Sequence, residues 1–324
     1  MSAGPEALVD RRVVFVFGKG GVGKSTLAAS LGLAAAEQRN KRVLVAEMNG
    51  AESLSTLFGT PPVGYAGHRL APGLDGMSIT PAEATEEYLV RMLRFRLLYE
   101  TVFRNRFIAP LMDGVLGLSD LISIGKVLDL EWTRADGGFG PDSVGPHRWD
   151  LVVVDGPATG HGLSMLRSPR SMMDLAKVGP LFQNARDIRD LVADRSRFGV
   201  LLVTLAEDLP VSEAIQAMET LDREVDTEVA GIVVNAVPPP LFPDRSQDAL
   251  WSAIREEGVL LGGRAARAIL DGERTLAERA RAEAQVSRLR AAVDVPVIEV
   301  LRLPGRDLAP AELRLIGGAL GSLL

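Results

Sequence analysis

Residues 18–26 read GKGGVGKST, directly after the apolar run VVFVF and inside a stretch that continues into LAASLGLAAAEQ. A glycine-rich loop ending in Gly-Lys-Ser, with a strand before it and a helix after it, has the phosphate-loop pattern GxxxxGK[ST] in its required context. Val13 to Phe17, β-branched and aromatic, reads as a buried strand, and Ser25 to Glu37 as a helix ending near Asn40. The glycines allow successive backbone N–H groups to turn inward around anionic oxygens, and the start of the helix reinforces that field. Gly20, Gly21, Val22 and Gly23 therefore supply the cradle, and Lys24 is placed to reach the β- and γ-phosphates. Ser25 offers a hydroxyl to Mg²⁺ and Thr26 supports the helix start. ATP and Mg²⁺ are the expected ligands. A glycine-rich turn with a chance lysine is the competing reading, and the flanking elements argue against it.

The rest of the chain repeats the strand–helix alternation. Val43–Glu47, Leu151–Val154, Val200–Thr204, Val229–Val234 and Val297–Leu301 read as strands. Val211–Arg223, Gly263–Ala292 and a last segment from Ala309 read as helices, and the Pro/Gly-rich 59–76 stretch reads as an irregular connection. Such alternation predicts an α/β phosphate-loop NTPase with a mostly parallel sheet flanked by helices. Residues 1–324 read as one phosphate-loop domain, with a helical subdomain from about 83–131 and 163–195 inserted in it. Breaks are expected near Pro110 and Gly117 in the first block and at Pro169 and Pro180 in the second.

Asp155 follows four apolar strand residues and precedes GPATGHG. A carboxylate at that strand end can hold Mg²⁺ or its water shell beside the phosphates; a structural cap is the alternative. Gly156, Thr159, Gly160 and His161 then suit a switch that changes shape when the γ-phosphate leaves, with His161 as a candidate sensor.

Two resemblances sharpen this. GKGGVGKST is similar to the signature of the deviant phosphate-loop ATPases, which carry an additional lysine early in the loop. In that class the extra lysine reaches the phosphates held by the other subunit of a nucleotide-sandwich dimer, so the resemblance gives Lys19 that role; a solvent-facing lysine is the plain alternative. The segment DGPATGH, Asp155 to His161, resembles the DTAPTGH segment of the arsenite-pump and tail-anchored-protein-targeting ATPase family. NGAESLSTLFG, after the second strand, lies where that family has DPAHSLSDAF, and the likeness runs from about Val13 to Leu303. It implies an ATPase working as a homodimer, or as a heterodimer with a homologous ATPase, on a hydrophobic protein client or a membrane-associated partner.

One departure bears on chemistry. Asn49 stands where the family carries the aspartate that positions or activates the attacking water. An amide can orient water but cannot take its proton. Glu47, two residues earlier, is a candidate substitute or a loop anchor; Asn49 itself reads equally as a turn residue. Hydrolysis is therefore expected to be slow, and a near-inactive regulatory subunit is the second reading. By the same resemblance Asn235 contacts the nucleobase, Leu303 and Pro304 form part of the adenine wall, and Glu207 lies near the adenosine or dimer face.

Composition excludes several alternatives. Cysteine is absent, so disulfides, thiolate zinc sites and cysteine-held iron–sulfur clusters are excluded within the chain, and no zinc or iron–sulfur cofactor is expected. A formal charge of -6 gives no general footprint for nucleic acid, and none is expected as a partner. The start of the chain lacks a secretory pattern and no apolar run reaches the roughly 18 residues of a membrane span, so the expected location is cytoplasmic. Five of nine methionines, Met92, Met112, Met165, Met172 and Met173, fall in the helical blocks, where they line either an apolar groove or a packed core.

Overall fold

The computed structural model describes residues 7–48, 52–93, 117–241, 251–252, 263–305 and 308–324. Asn49, Met112 and Pro110 therefore lie outside the described residues, as does the side chain of Met92.

Eight strands among the described residues form a single sheet: β1 (Val13–Gly18), β2 (Val43–Glu47), β3 (His68–Ala71), β4 (Leu74–Ser78), β5 (Leu151–Ala158), β6 (Phe198–Leu205), β7 (Val229–Val237) and β8 (Val297–Leu301). Their spatial order is β3-β4-β2-β5-β1-β6-β7-β8, parallel throughout except for the β3–β4 pair. Every residue of β1 and β2 is buried, as continuous apolar runs require when both faces of a parallel sheet are covered.

Strand alternation sorts the core into two layers. Val14, Val16, Val45 and Val153 face α1 (Lys24–Arg39), the short α2 (Ser53–Phe58) and α9 (Pro310–Ala319). Phe15, Phe17, Leu44 and Val154 face the other layer. That layer contains α3 (Pro81–Leu93), α4 (Leu118–Trp132), α5 (Thr159–Leu175), α6 (Pro180–Ala193), α7 (Asp208–Thr220) and α8 (Gly263–Ala292). Helices α3 to α6 pack on one another, which is the inserted helical subdomain expected from the two apolar blocks. Met165 and Met172 are buried in its core and Met173 packs partly against it, so these three follow the packed-core reading.

Two local expectations differ from the structure. The Pro/Gly-rich stretch before residue 76 contains an antiparallel hairpin, with Gly73 in the turn at φ +76°. Pro169 lies inside α5 without ending it. A proline has no N–H for the carbonyl four residues back, and here the Ser168 hydroxyl donates to the Met165 carbonyl at 2.7 Å instead. Pro180, by contrast, opens α6 at its first position, where a missing N–H costs nothing.

Candidate functional site

The loop after β1 rises at the C-terminal edge of the sheet, where open α/β sheets bind their ligands. Its path depends on backbone approaches that only glycine permits. A Cβ on Gly18 would lie 2.2 Å from the Val203 carbonyl oxygen of β6. Gly23 precedes α1 at φ +92°, and a Cβ there would lie 2.2 Å from Asn235 Nδ2. On the neighbouring strand, a Cβ on Gly156 would meet the Phe15 ring and the Val16 carbonyl at 2.6 and 2.7 Å. Thr159 and Gly160 begin α5, whose N-terminal N–H groups have no side-chain cap, and Ala158 packs near Gly20. The phosphate loop and the 156–161 segment are thus adjacent.

Lys24 curls back over the loop and its Nζ donates to the Lys19 carbonyl at 3.1 Å. Burial holds its ammonium below the ordinary lysine value, with the charge of Asp155 acting in the opposite direction. Asp155 is 4 % exposed and its Oδ1 has no hydrogen-bond partner. Burial pushes its carboxyl up to about 6, against the hydrogen bond from Ser25 and the charge of Lys24; the Glu47 carboxylate adds to the rise. Glu47 is 1 % exposed and is the register partner of Asp155 across the β2–β5 pair. Its Oε2 accepts the Leu54 N–H of α2 at 3.2 Å, and its Oε1 is buried without a partner. Met48 donates its N–H to the Asp155 carbonyl at 3.1 Å, which locks the two strand ends together.

Among the described residues there is no group of three or more His, Cys, Asp or Glu able to hold a metal. The orphaned Asp155 oxygen beside the Ser25 hydroxyl nevertheless fits Mg²⁺, which is commonly bound by one or two carboxylates with phosphate oxygens and water completing its shell.

The other expected residues are distributed around this centre. Lys19 pairs with Glu213 of α7, Nζ to Oε1 at 2.9 Å, with both side chains partly exposed. Asn235 donates from Nδ2 to the Val22 carbonyl at 2.9 Å, tying β7 to the phosphate loop. It also lines a cavity of about 550 Å³ with Glu207, Ala236, Glu278, Arg281 and Arg302. Leu303 packs partly against the α1-side core and Pro304 is exposed; neither lines that cavity. His161 is exposed and its Nε2 lies 3.4 Å from Asp120 Oδ1 of α4, while Ser164 donates to the other oxygen of Asp120 at 3.0 Å. Val22, Ser25 and Thr26 occupy the loop and first turn as the spacing requires.

Sequence reasoning did not single out Glu213, Asp120 or the polar cavity residues of α8. Glu278, Arg281 and Gln285 do share helical spacing, a signal that was available. Glu213 and Asp120 meet their partners only through the fold.

The phosphate loop, the strand-end Asp155 beside Ser25, and the asparagine that ties the loop to the β7-side cavity lie along one edge of the sheet. A sequence profile of the anion-transporting ATPases matches residues 11–179. The chain belongs to the anion-transporting ATPase family. That family includes arsenite-pump and tail-anchored-protein-targeting relatives. The chain is 28 % identical over 311 residues to ATPase BagA of Mycobacterium tuberculosis, covering 91 % of this chain and 88 % of that protein. It is 25 % identical over 272 residues to a putative arsenical pump-driving ATPase of Aquifex aeolicus, covering 76 % and 85 %. It is 26 % identical over 271 residues to an ATPase ASNA1 homolog of Paramecium tetraurelia, covering 71 % and 75 %. Membership brings ATP binding and ATPase activity in general, with Mg²⁺ accompanying the nucleotide. No helix among the described residues is long and apolar enough to cross a membrane.

Proposed function

We propose that this chain is a slowly hydrolysing, cytoplasmic, dimeric ATPase that couples its nucleotide state to a protein or membrane-associated client. The observation that carries this reading is the convergence of Lys24, Ser25 and the partly orphaned Asp155 at the mouth of the phosphate loop. In this reading residues 1–324 act as one phosphate-loop ATPase domain, and the inserted helices, about 83–131 and 163–195, transmit its state.

The chain's own groups divide the work. Backbone N–H groups of residues 20–24 bind the phosphate chain, and the start of α1 adds its partial positive charge. Lys24 neutralises charge on the β- and γ-phosphoryl oxygens and is released for this from the Lys19 carbonyl. Ser25 and Asp155 hold Mg²⁺, directly or through water; the ion supplies charge neutralisation across the terminal phosphates. Asn235 swings from the Val22 carbonyl to meet the base in the adjoining cavity. Asn49 orients the attacking water without accepting its proton, which makes turnover slow. Gly156, Thr159, Gly160 and His161 report loss of the γ-phosphate to α4 through the His161–Asp120 contact. Lys19 exchanges Glu213 for a phosphate oxygen across the dimer.

Asn49 specifically favours a second reading: a near-inactive, nucleotide-gated subunit paired with a homologous, more active ATPase. Steady-state turnover and the sedimentation of purified wild type and Lys19→Ala, each with Mg²⁺–ATP and without, separate these cases. The main reading expects slow wild-type turnover with ATP-dependent dimers, both reduced in Lys19→Ala. A wild type that forms ATP-dependent dimers but turns over nothing supports the second reading. Wild-type values in the variant overturn the role given to Lys19.

A further inference from the structure

We propose that Glu47 is a second carboxylate for the nucleotide's magnesium ion: one oxygen tethers α2 and the other faces the ion or its water shell. This rests on the nucleotide-binding reading above and gives that site a residue beyond Ser25 and Asp155.

Geometry puts Glu47 in the right place. It is the last residue of β2 and is paired in register with Asp155, the residue whose carboxylate the Ser25 hydroxyl reaches. Alternation places Val45 and Val153 on the α1 side of the sheet, so Glu47 and Asp155, two residues further on, share that side. The first turn of α1 carries Lys24 and Ser25. Two carboxylates and the hydroxyl therefore converge at one strand-edge position, with the Lys24 ammonium nearby.

Burial argues that the arrangement is made for a cation. Glu47 is 1 % exposed and Asp155 4 %, and each has one oxygen with no hydrogen-bond partner. A buried acceptor left unmatched is costly, and two anions side by side cost more. A small divalent cation relieves both, and with only two carboxylates present the phosphate oxygens and waters complete an octahedral shell.

The rival explanation is that Glu47 only caps α2, since its Oε2 accepts the Leu54 N–H. Capping requires an acceptor oxygen, not a charge, and it leaves Oε1 unexplained. The carboxylate also stands two residues before the neutral Asn49, so it returns to this segment a charge that position 49 lacks. Because the same side chain holds α2, ion binding would also fix the orientation of Ser53–Phe58 beside the nucleotide.

Glutamine keeps the cap and removes the charge, which makes the proposal separable from a structural role. The experiment titrates Mg²⁺ into wild type, Glu47→Gln, Glu47→Ala and Asp155→Asn at a fixed concentration of a fluorescent ATP analogue. Thermal melting of the nucleotide-free proteins is recorded in parallel. We expect Glu47→Gln to bind the analogue in EDTA at least as tightly as wild type does, because an anion beside the phosphates has been removed. Its half-saturating Mg²⁺ should rise by about tenfold or more, the usual scale for losing a residue that supports a metal. Its melting temperature should be unchanged or higher. Glu47→Ala should show the same rise in Mg²⁺ requirement together with a lower melting temperature. A wild-type Mg²⁺ requirement in Glu47→Gln overturns the proposal, whatever the alanine variant does. Wild-type protein that binds no analogue at any Mg²⁺ concentration overturns the nucleotide reading beneath it, so the two failures are distinct.

Discussion

Replacing Asp155 with asparagine should stabilise the nucleotide-free protein while disabling its magnesium-dependent binding. The Asp155 carboxyl is raised from an ordinary 3.8 to about 6, first by burial, with Glu47 contributing. Each unit of such a shift corresponds to about 1.4 kcal/mol, so the ionised native state carries a penalty on the order of 3 kcal/mol at neutral pH. The sign follows from proton binding. The folded state holds its proton more tightly than the unfolded chain, so stability is complete below 3.8 and is lost as pH rises through about 6. Asparagine mimics the protonated form in size and retains an acceptor for the Ser25 hydroxyl. For a chain of this length roughly 1–3 °C accompanies each kcal/mol, which predicts a melting temperature about 3–8 °C higher at pH 7.5 in EDTA. Near pH 5 the difference should shrink to about half, because by then wild type is mostly protonated at this site when folded. Scanning fluorimetry of both proteins across that range measures it, and Mg²⁺–ATP should raise the wild type far more than the variant. A variant no more stable than wild type at pH 7.5, or a gain that does not change with pH, would refute this account of the buried carboxylate.

Asn49→Asp should raise single-turnover hydrolysis about a hundredfold, the lower end for a positioned proton acceptor, if the missing carboxylate limits the chemistry. Unchanged turnover sinks that explanation. Gly23→Ala places a methyl group 2.2 Å from Asn235 Nδ2 on a residue at φ +92°, so the bond from Asn235 to Val22 must break. Urea unfolding should report a loss of about 1–3 kcal/mol, together with weakened binding of a fluorescent nucleotide. Wild-type stability and binding would contradict it.

The central sheet was legible because strands buried on both faces must be apolar at every position, as VVFVF and VLVA are. The long helix Gly263–Ala292 was equally plain, its thirty residues holding neither a proline nor a β-branched run. The β3–β4 hairpin was hidden for the opposite reason. Its strands are short and lie at the sheet edge, one of them with Gly76 inside, so punctuation outweighed periodicity. Pro169 misled because the hydroxyl that replaces its missing N–H is contributed by the residue before it, a compensation that helix-breaking rules omit. Within the site, Lys24, Ser25 and Asp155 announced themselves by local spacing. The partner of Lys19 did not, since Glu213 is distant in sequence and the two meet only because α7 follows the strand next to β1.

That contrast extends to the state of the site itself. Among the described residues, the cationic and amide groups expected to touch the nucleotide have partners within the chain: Lys24 the Lys19 carbonyl, Lys19 Glu213, and Asn235 the Val22 carbonyl. The two carboxylates each keep a buried oxygen with no hydrogen-bond partner in the chain. At these three side chains, phosphate and base therefore exchange one set of hydrogen bonds for another, a near-balanced process with modest net gain. Magnesium instead meets acceptors whose desolvation cost no hydrogen-bonding group of the chain offsets. The ion consequently adds its own electrostatic driving force for loading this site, and the nucleotide should bind as its magnesium complex in preference to the free anion.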